Sequence, residues 1–375
     1  MAKKIAFGCT LLNRGINESG IDGIGHYCQE LLHHLEKETS GFTMQRYSFG
    51  EPGGNHEISL YPKYPIHLIR GFLSLPTKSS TPQDAFQSAD LIHSTDHLVP
   101  TGIKKPLLAS IMDVIPLSNP EFIRSNLVLA KASLWKKLSQ RADHIITISE
   151  FSKQEIAKHM GYPLDQITTI PLGIDQRYFD RIEKDEIERV KIKYSIDRPF
   201  FLFIGSLQPR KNLARILEAH KNLPGNLSKE FPIVVVGREF WDDGTIMIAI
   251  QKGIHDKRCI WLDYVSDFEK RCLLQSTLVL CFASLYEGFG LPILEAFASK
   301  APVITSNLTS MPEVAKGGAI LVDPLNISEL TSAMANIILN DSGRVELSHA
   351  GFTQARAYSW EQSAKKTCEV YTSLT

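Results

Sequence analysis

Short β-rich apolar runs alternate with amphipathic stretches along almost the whole chain. The runs fall at residues 5–12, around Ile92, at 107–112 and 144–149, then at 200–205, 232–237, 259–264, 278–284, 302–307 and 319–323. Between them, residues 27–35, 152–159, 212–220, 267–275 and 329–339 place apolar side chains at helical spacing. Strand and helix in strict alternation predict parallel sheets covered by helices on both faces, because parallel strands are joined by crossovers that are usually helical. The pattern runs twice and restarts at Phe200, after a stretch (180–198) in which acidic and basic residues interleave as on a surface helix. The expected fold class is therefore α/β, with two doubly wound, Rossmann-like domains whose parallel sheets face each other across a cleft. In open sheets of this kind ligands collect at the carboxyl ends of the strands.

Size and charge fit that reading. A chain of 375 residues is long enough for two domains that each bury a core. Its 41 Lys+Arg balance 41 Asp+Glu, and neither half carries the positive excess that a nucleic-acid partner demands. The six cysteines, Cys9, Cys28, Cys259, Cys272, Cys281 and Cys368, form no Cys-x-x-Cys pair and read as small buried hydrophobes in a reducing compartment. Residues 5–12 are interrupted by Gly8 and Thr10 and read as a first strand, not as a signal peptide. No run approaches the roughly 20 apolar residues that cross a bilayer. A cytoplasmic protein is expected.

Several motifs are excluded by what they lack. Gly23-Ile24-Gly25-His26-Tyr27-Cys28 misses the third glycine of a dinucleotide fingerprint and lies well past the first strand, which argues against hydride transfer. The segment from Gly205 to Asn212 has a lysine but neither the second glycine nor the hydroxyl residue of a P-loop. There is no Asp-x-Asp and no His-Glu-x-x-His, and His93 and His97, four apart, fall at a strand end and not on a helix face. No metal or other cofactor is expected.

The strongest positive signal runs Ser-Leu-Tyr-Glu-Gly-Phe-Gly-Leu-Pro-Ile-Leu-Glu-Ala-Phe-Ala over 284–298. Gly288 and Gly290 let the backbone turn tightly after a buried strand, and Pro292 suits the first turn of a helix. Unpaired amides at such a helix start, with its dipole, suit a phosphate. Glu287 precedes the turn and Glu295 lies about one turn into the helix. A lone glutamate there is ordinarily a surface residue, but two that bracket Gly-x-Gly at a dipole end suit sugar hydroxyls.

Glu287-Gly288-Phe289-Gly290-Leu291-Pro292-Ile293-Leu294-Glu295 resembles the Glu-x7-Glu signature of the family-4 retaining glycosyltransferases, which have the GT-B architecture. Further landmarks extend the resemblance over nearly the whole chain: Gly23-Ile24-Gly25-His26-Tyr27, Asp113-Val114-Ile115-Pro116, Ser149-Glu150-Phe151-Ser152 and Ile170-Pro171-Leu172-Gly173-Ile174-Asp175, then Pro209-Arg210-Lys211-Asn212, Val265-Ser266-Asp267, Pro312-Glu313-Val314 and Ser359-Trp360. The resemblance implies an acceptor-binding domain over 1–175, a nucleotide-sugar-binding domain over 176–358, and a terminal helix over 359–375 that packs back toward the first domain. It also implies residue roles. Arg210 and Lys211 neutralise the donor diphosphate, Glu295 holds the ribose hydroxyls and Glu287 contacts the transferred hexose, with Asp113 as the fourth catalytic candidate. Gly23, Gly25, Gly205, Val265, Phe289, Gly290 and Leu291 border the donor. Elementary electrostatics agrees, since two adjacent cations and a helix start are a metal-free way to stabilise a departing diphosphate.

The departures lie mostly in the first domain. Relatives usually carry His-Asp where this chain has Met112-Asp113, and methionine is a poor partner for a sugar hydroxyl. Either His93, Asp96 or His97 takes that role, or the donor sugar differs, or activity is impaired. His26 replaces a commoner arginine and joins them as a sugar or acceptor contact.

The expected activity is retaining transfer of a hexose from a nucleoside-diphosphate sugar to a saccharide or lipid-linked acceptor in polysaccharide or glycolipid assembly. The branch resembled most is that of mannosyltransferases using GDP-mannose. Other donors such as UDP-glucose or UDP-GlcNAc, a nucleotide-sugar epimerase, and a non-catalytic nucleotide-sugar-binding protein stay open as alternatives. Residues 58–83 contain no acidic residue and mix Lys63, Arg70 and Lys78 with aromatic and aliphatic ones, and residues 122–141 add Trp135 and several lysines. That composition suits peripheral contact with an anionic membrane, on its inner face, although helices packed on a sheet look similar.

Overall fold

A computed structural model describes residues 2–38, 41–50, 58–60, 86–101, 103–123, 127–240 and 244–375. The chain divides into two compact units, one formed by Met1–Gly173 with Ser359–Thr375 and the other by Ile174–Tyr358.

Among the described residues the first unit has a seven-stranded sheet. Its strands are β1 (Lys3–Gly8), β2 (Phe42–Phe49), β3 (Ile58–Leu60), β4 (Leu91–Ser94), β5 (Leu107–Ser110), β6 (His144–Thr147) and β7 (Ile167–Thr169), in the order β3-β2-β1-β4-β5-β6-β7. Every neighbouring pair is parallel, with Ile5 opposite both Met44 and Leu91. All four residues of β4 and of β5 are buried, so these strands read in sequence as continuous apolar runs. β2 and β7 escape that signature. β2 carries Thr43, Gln45 and Arg46 and is only partly buried, and β7 is three residues at the sheet edge.

The second unit has a six-stranded parallel sheet among the described residues. It comprises β8 (Phe201–Ile204), β9 (Ile233–Val236), β10 (Cys259–Leu262), β11 (Val279–Phe282), β12 (Val303–Ser306) and β13 (Ile320–Val322), ordered β10-β9-β8-β11-β12-β13. Phe201, Phe203, Val235, Cys281 and Ile304 anchor its core against Ile216, Ile250 and Met334 from the covering helices. Each such side chain contributes about 1.5–3 kcal/mol through loss of water contact. The strand order reverses between β1 and β4 in the first sheet and between β8 and β11 in the second. A doubly wound sheet opens a crevice at such a reversal, at the carboxyl edge.

The helix Trp360–Leu374 closes the first unit from the far end of the chain. Ser363 Oγ donates to the Pro171 carbonyl at 2.7 Å, and a Cβ on Gly173 would overlap the Trp360 backbone. All six cysteines are buried and unbridged. Among the described residues no helix is long and apolar enough to cross a membrane.

Candidate active site

In the second unit the site begins where β8 ends. Gly205 donates its amide to the Val236 carbonyl at 3.0 Å, and the Gly205 carbonyl fills the space a side chain at Gly237 would need. The short turn Pro209–Lys211 ends at Asn212 in the left-handed region, φ 61°. The Asn212 amide group donates to the carbonyls of Ala283 at 3.0 Å and Pro324 at 2.8 Å, and the Leu285 amide donates to the Arg210 carbonyl at 2.7 Å. The cationic turn is thereby fastened to the end of β11, across the point of strand reversal.

Three charges meet there. Lys211 Nζ donates to Glu287 Oε1 at 2.6 Å and Arg210 donates to Glu287 Oε2 at 3.0 Å. Arg210 also reaches the Tyr286 carbonyl at 3.1 Å and Gln208 Oε1 at 2.9 Å, while Lys211 Nζ lies 4.9 Å from the centre of the Phe282 ring. Glu287 is 7% exposed and Lys211 8%. Burial acts to raise the Glu287 carboxyl, but the charges of Lys211 and Arg210 outweigh it and hold the group below its ordinary value. Two cations share one carboxylate, so the cluster keeps a positive charge to offer an anion.

The turn that carries Glu287 is clamped from the β12 side. Thr309 Oγ1 accepts from the Glu287 amide at 3.3 Å, and Ser310 Oγ bridges the carbonyls of Glu287 and Phe289 at 2.9 Å each. Gly290, φ 105°, then starts the helix Leu291–Ala298 with Pro292 in its first turn. A positive φ is open to glycine at no steric cost, and the helix start brings its amides and dipole beside the cationic turn. Phe289 is buried edge-on against Tyr358, ring centres 5.9 Å apart.

Glu295 belongs to a second cluster. Its Oε1 accepts from Lys270 Nζ at 2.9 Å, and the Tyr178 hydroxyl lies 3.0 Å from both Glu295 Oε1 and Asp267 Oδ1, serving one carboxylate at a time. Burial acts to lower the Lys270 amine, but Glu295 and Asp267 outweigh it and raise it. Val265 is buried just ahead of the helix Asp267–Ser276, whose start is fixed by reciprocal bonds between Ser266 and Glu269. Sequence reasoning missed Lys270, Tyr178 and the Thr309-Ser310 clamp.

The first unit holds a cavity of about 540 Å³ at the carboxyl ends of β4 and β5. Asp96, His97, Met112 and Asp113 line it, with Ile24, Ile111, Pro116, Val128, Lys131 and Trp135 among the other walls. Asp96 is buried and accepts from the Leu98 amide at 2.7 Å; burial raises its carboxyl, partly offset by His97. Asp113 Oδ1 accepts from the Ile115 amide at 3.1 Å, and Ser152 Oγ holds the Met112 carbonyl at 2.9 Å.

One expectation needs correction here. His93 is fully buried, with Nδ1 2.7 Å from the Tyr371 hydroxyl and Nε2 2.8 Å from Ser110 Oγ, so both ring nitrogens are occupied and neither reaches a sugar. Gly23 and Gly25 lie in the first turn of the helix Gly23–Lys37, where the Gly25 amide donates to the capping carboxylate of Asp22 at 2.7 Å. His26, on the same turn, lies edge-on to Trp360 with ring centres 6.2 Å apart. Among the described residues no group of three or more His, Cys, Asp or Glu is placed to hold a metal.

Comparison with known proteins matches both units. Residues 21–178 fit the family described as Glycosyltransferase Family 4, and residues 184–354 fit Glycosyl transferases group 1. The O-antigen chain mannosyltransferase B of Escherichia coli is 30% identical over 283 residues, 75% of this chain and 74% of that protein. The serotype-specific mannosyltransferase WbdA of Escherichia coli is 27% identical over 267 residues, 70% of this chain but only 33% of that longer protein. Among solved structures, Anabaena Alr3699/HepE in complex with UDP and glucose superposes with a TM-score of 0.72 at 16% identity, covering 99% of this chain and 100% of that one. Sequence identity along three quarters of a relative, family matches in each unit and a fold shared end to end converge on one assignment: the chain is an enzyme of glycosyltransferase family 4, built on the GT-B fold.

Proposed function

We propose that this glycosyltransferase moves a mannosyl residue from GDP-mannose to a saccharide or lipid-linked acceptor, with retention of anomeric configuration, in the assembly of a surface polysaccharide. The observation that carries the reading is the triad of Arg210, Lys211 and Glu287 at the strand reversal of the second sheet, a buried anion grip beside a helix start. The mannosyl assignment draws on relatives named as mannosyltransferases.

In this reading the two cations and the amides at Gly290 and Leu291 stabilise the charge that develops on the departing diphosphate. Glu287, released from the cations as the diphosphate takes them, turns to the hexose hydroxyls. Glu295, oriented by Lys270 and Tyr178, accepts from the ribose. The departing phosphate takes the acceptor proton on the same face of the sugar, so no protein nucleophile is required. No metal enters the proposal. The cavity lined by Asp96, His97, Asp113 and Trp135 suits the acceptor.

Peripheral membrane contact is part of the proposal. Residues 61–83 of the basic, aromatic stretch lie outside the described residues, but Leu127 and Leu129 are 61% and 64% exposed beside the exposed Lys131. Flotation with anionic liposomes at low salt tests it; protein left at the bottom of the gradient removes it.

The activity is tested by incubating the chain with labelled GDP-mannose, UDP-glucose or UDP-GlcNAc and a panel of lipid-linked saccharides. Mannosyl transfer with an α-linked product, lost in Lys211→Ala, is expected. Transfer from a uridine donor alone overturns the donor assignment, and an inverted product overturns retention.

A further inference from the structure

We propose that Ser110 is a binding residue for the saccharide acceptor, donating its hydroxyl proton to an oxygen of the acceptor sugar in the first unit's cavity; this rests on the reading of that cavity as the acceptor site. Ser110 ends β5, is 2% exposed and belongs to the cavity wall. Behind it lies a buried chain of hydrogen bonds drawn from four elements. Tyr371, on the helix Trp360–Leu374, has its hydroxyl 2.7 Å from Nδ1 of His93 on β4. His93 Nε2 lies 2.8 Å from Ser110 Oγ, and the hydroxyl of Tyr27, on the helix Gly23–Lys37, lies 2.8 Å from the same oxygen. Tyr371, His93 and Tyr27 are all buried.

Proton counting fixes the direction of each bond. Among the described residues the Tyr371 hydroxyl meets His93 alone, and the Tyr27 hydroxyl meets Ser110 alone. A buried O–H that finds no acceptor is costly, so each tyrosine donates, and His93 Nδ1 accepts. Burial pushes the His93 imidazole down to about 3 and so keeps it neutral. A neutral ring has one N–H, which is left on Nε2 and donates to Ser110. Ser110 Oγ thus accepts twice, from His93 and from Tyr27, and both of its lone pairs are taken. Turning either bond round strands the proton of a buried tyrosine. The serine proton has no acceptor within this network and is left for the cavity that Ser110 lines. A sugar hydroxyl both donates and accepts, so a wall that brings the Asp113 carboxylate also needs a donor, and Ser110 supplies one. Tyr371, His93 and Tyr27 act through Ser110 as positioning residues.

Transfer kinetics of the full chain test this, with whichever of the three labelled donors and of the lipid-linked saccharides the wild type uses. Ser110→Ala is expected to raise the acceptor KM about tenfold, with kcat and nucleotide affinity unchanged, and Ser110→Thr, which keeps the hydroxyl, to restore it. Ser110→Cys, close to serine in size but with only a weak S–H donor, gives the same rise and serves where the alanine variant does not fold. Histidine side-chain 15N shifts of the wild type at pH 7, with His93 assigned by the loss of its signal in His93→Gln, should show its proton on Nε2. That tautomer is a signature that a mere packing role for His93 does not fix. An acceptor KM untouched in the alanine or cysteine variant, a loss confined to kcat, or a His93 proton on Nδ1 overturns the proposal. A wild type that elongates no saccharide is a different result: it sinks the acceptor reading of the cavity, and the role of Ser110 falls with it.

Discussion

Lys211 Nζ and Glu287 Oε1 are 2.6 Å apart, and Arg210 holds the other oxygen of the same carboxylate, so both cations of the anion grip are already engaged by an internal anion. Under the proposed function, a donor diphosphate competes with Glu287 for them. That competition couples binding to chemistry, because the carboxylate is set free only when the phosphates arrive.

Glu287→Gln is therefore expected to bind GDP and pyrophosphate more tightly, by about tenfold, while transfer falls by orders of magnitude. Without its anion the buried cationic pair is uncompensated in the ligand-free protein, and about 1.4 kcal/mol of that cost, the equivalent of tenfold in affinity, is recovered when a diphosphate binds. Thermal melts with and without pyrophosphate should show a lower ligand-free midpoint and a larger ligand shift than the wild type. GDP affinity equal to or below that of the wild type would contradict the competition.

Thr309 holds the Glu287 turn from a strained position. Its φ of 57° places a β-branched residue in the left-handed region, at about 1–2 kcal/mol, while its Oγ1 takes the Glu287 amide. Thr309→Asn relieves strain and keeps an oxygen acceptor; it should stabilise the chain by up to about 1 kcal/mol with kcat largely retained. Thr309→Gly relieves strain but loses the acceptor and should lower kcat about tenfold at unchanged folding stability, because the unfolded chain gains freedom. Urea midpoints and kcat, read together, separate the two. A fully active glycine variant removes Thr309 from the positioning of Glu287.

Two buried histidines make stability depend on pH. Burial pushes the His93 imidazole down to about 3 and that of His220 down to about 4. In the unfolded chain both protonate near 6.5, so the unfolded state takes up protons first and stability falls as pH drops below about 6.5 toward those folded values. At pH 5 each contributes a loss of about 2 kcal/mol relative to pH 7. The double variant His93→Gln, His220→Gln should start less stable at neutral pH, yet lose less between pH 7 and pH 5. An unchanged slope in urea titrations rules out the histidines as its source.

What the sequence discloses depends on how local the physics is. The Glu287 turn is legible because a buried strand, two glycines and a proline-started helix are consecutive. The triad is only half legible: Arg210 and Lys211 stand 77 and 76 positions from Glu287, and no spacing rule says that they meet. Lys270 and Tyr178 give no signal at all, since Tyr178 reaches Glu295 across 117 positions. The helix that begins at Gly23 is legible in Asp22 just ahead of it, an N-cap signal. His93 follows the common rule that a histidine on a buried strand is a satisfied core residue.

Trp135 tests the proposed acceptor role of the first unit's cavity with the least disturbance to the fold. The residue lines the cavity, and its indole Nε1 is buried with no hydrogen-bond partner among the described residues. An unmet buried donor is a cost the folded chain carries, so Trp135→Phe gives back that cost while removing part of the ring volume, and folding stability should change by less than about 1 kcal/mol. If the indole donor is kept for a substrate hydroxyl, the substitution leaves that hydroxyl unpaired when bound. The acceptor KM should then rise about tenfold, while GDP affinity and slow donor hydrolysis without acceptor stay at wild-type values, because the proposed function assigns those steps to the second unit. Acceptor kinetics unchanged in Trp135→Phe would mean that the indole N–H is idle and that the cavity recognises its ligand through its other polar walls.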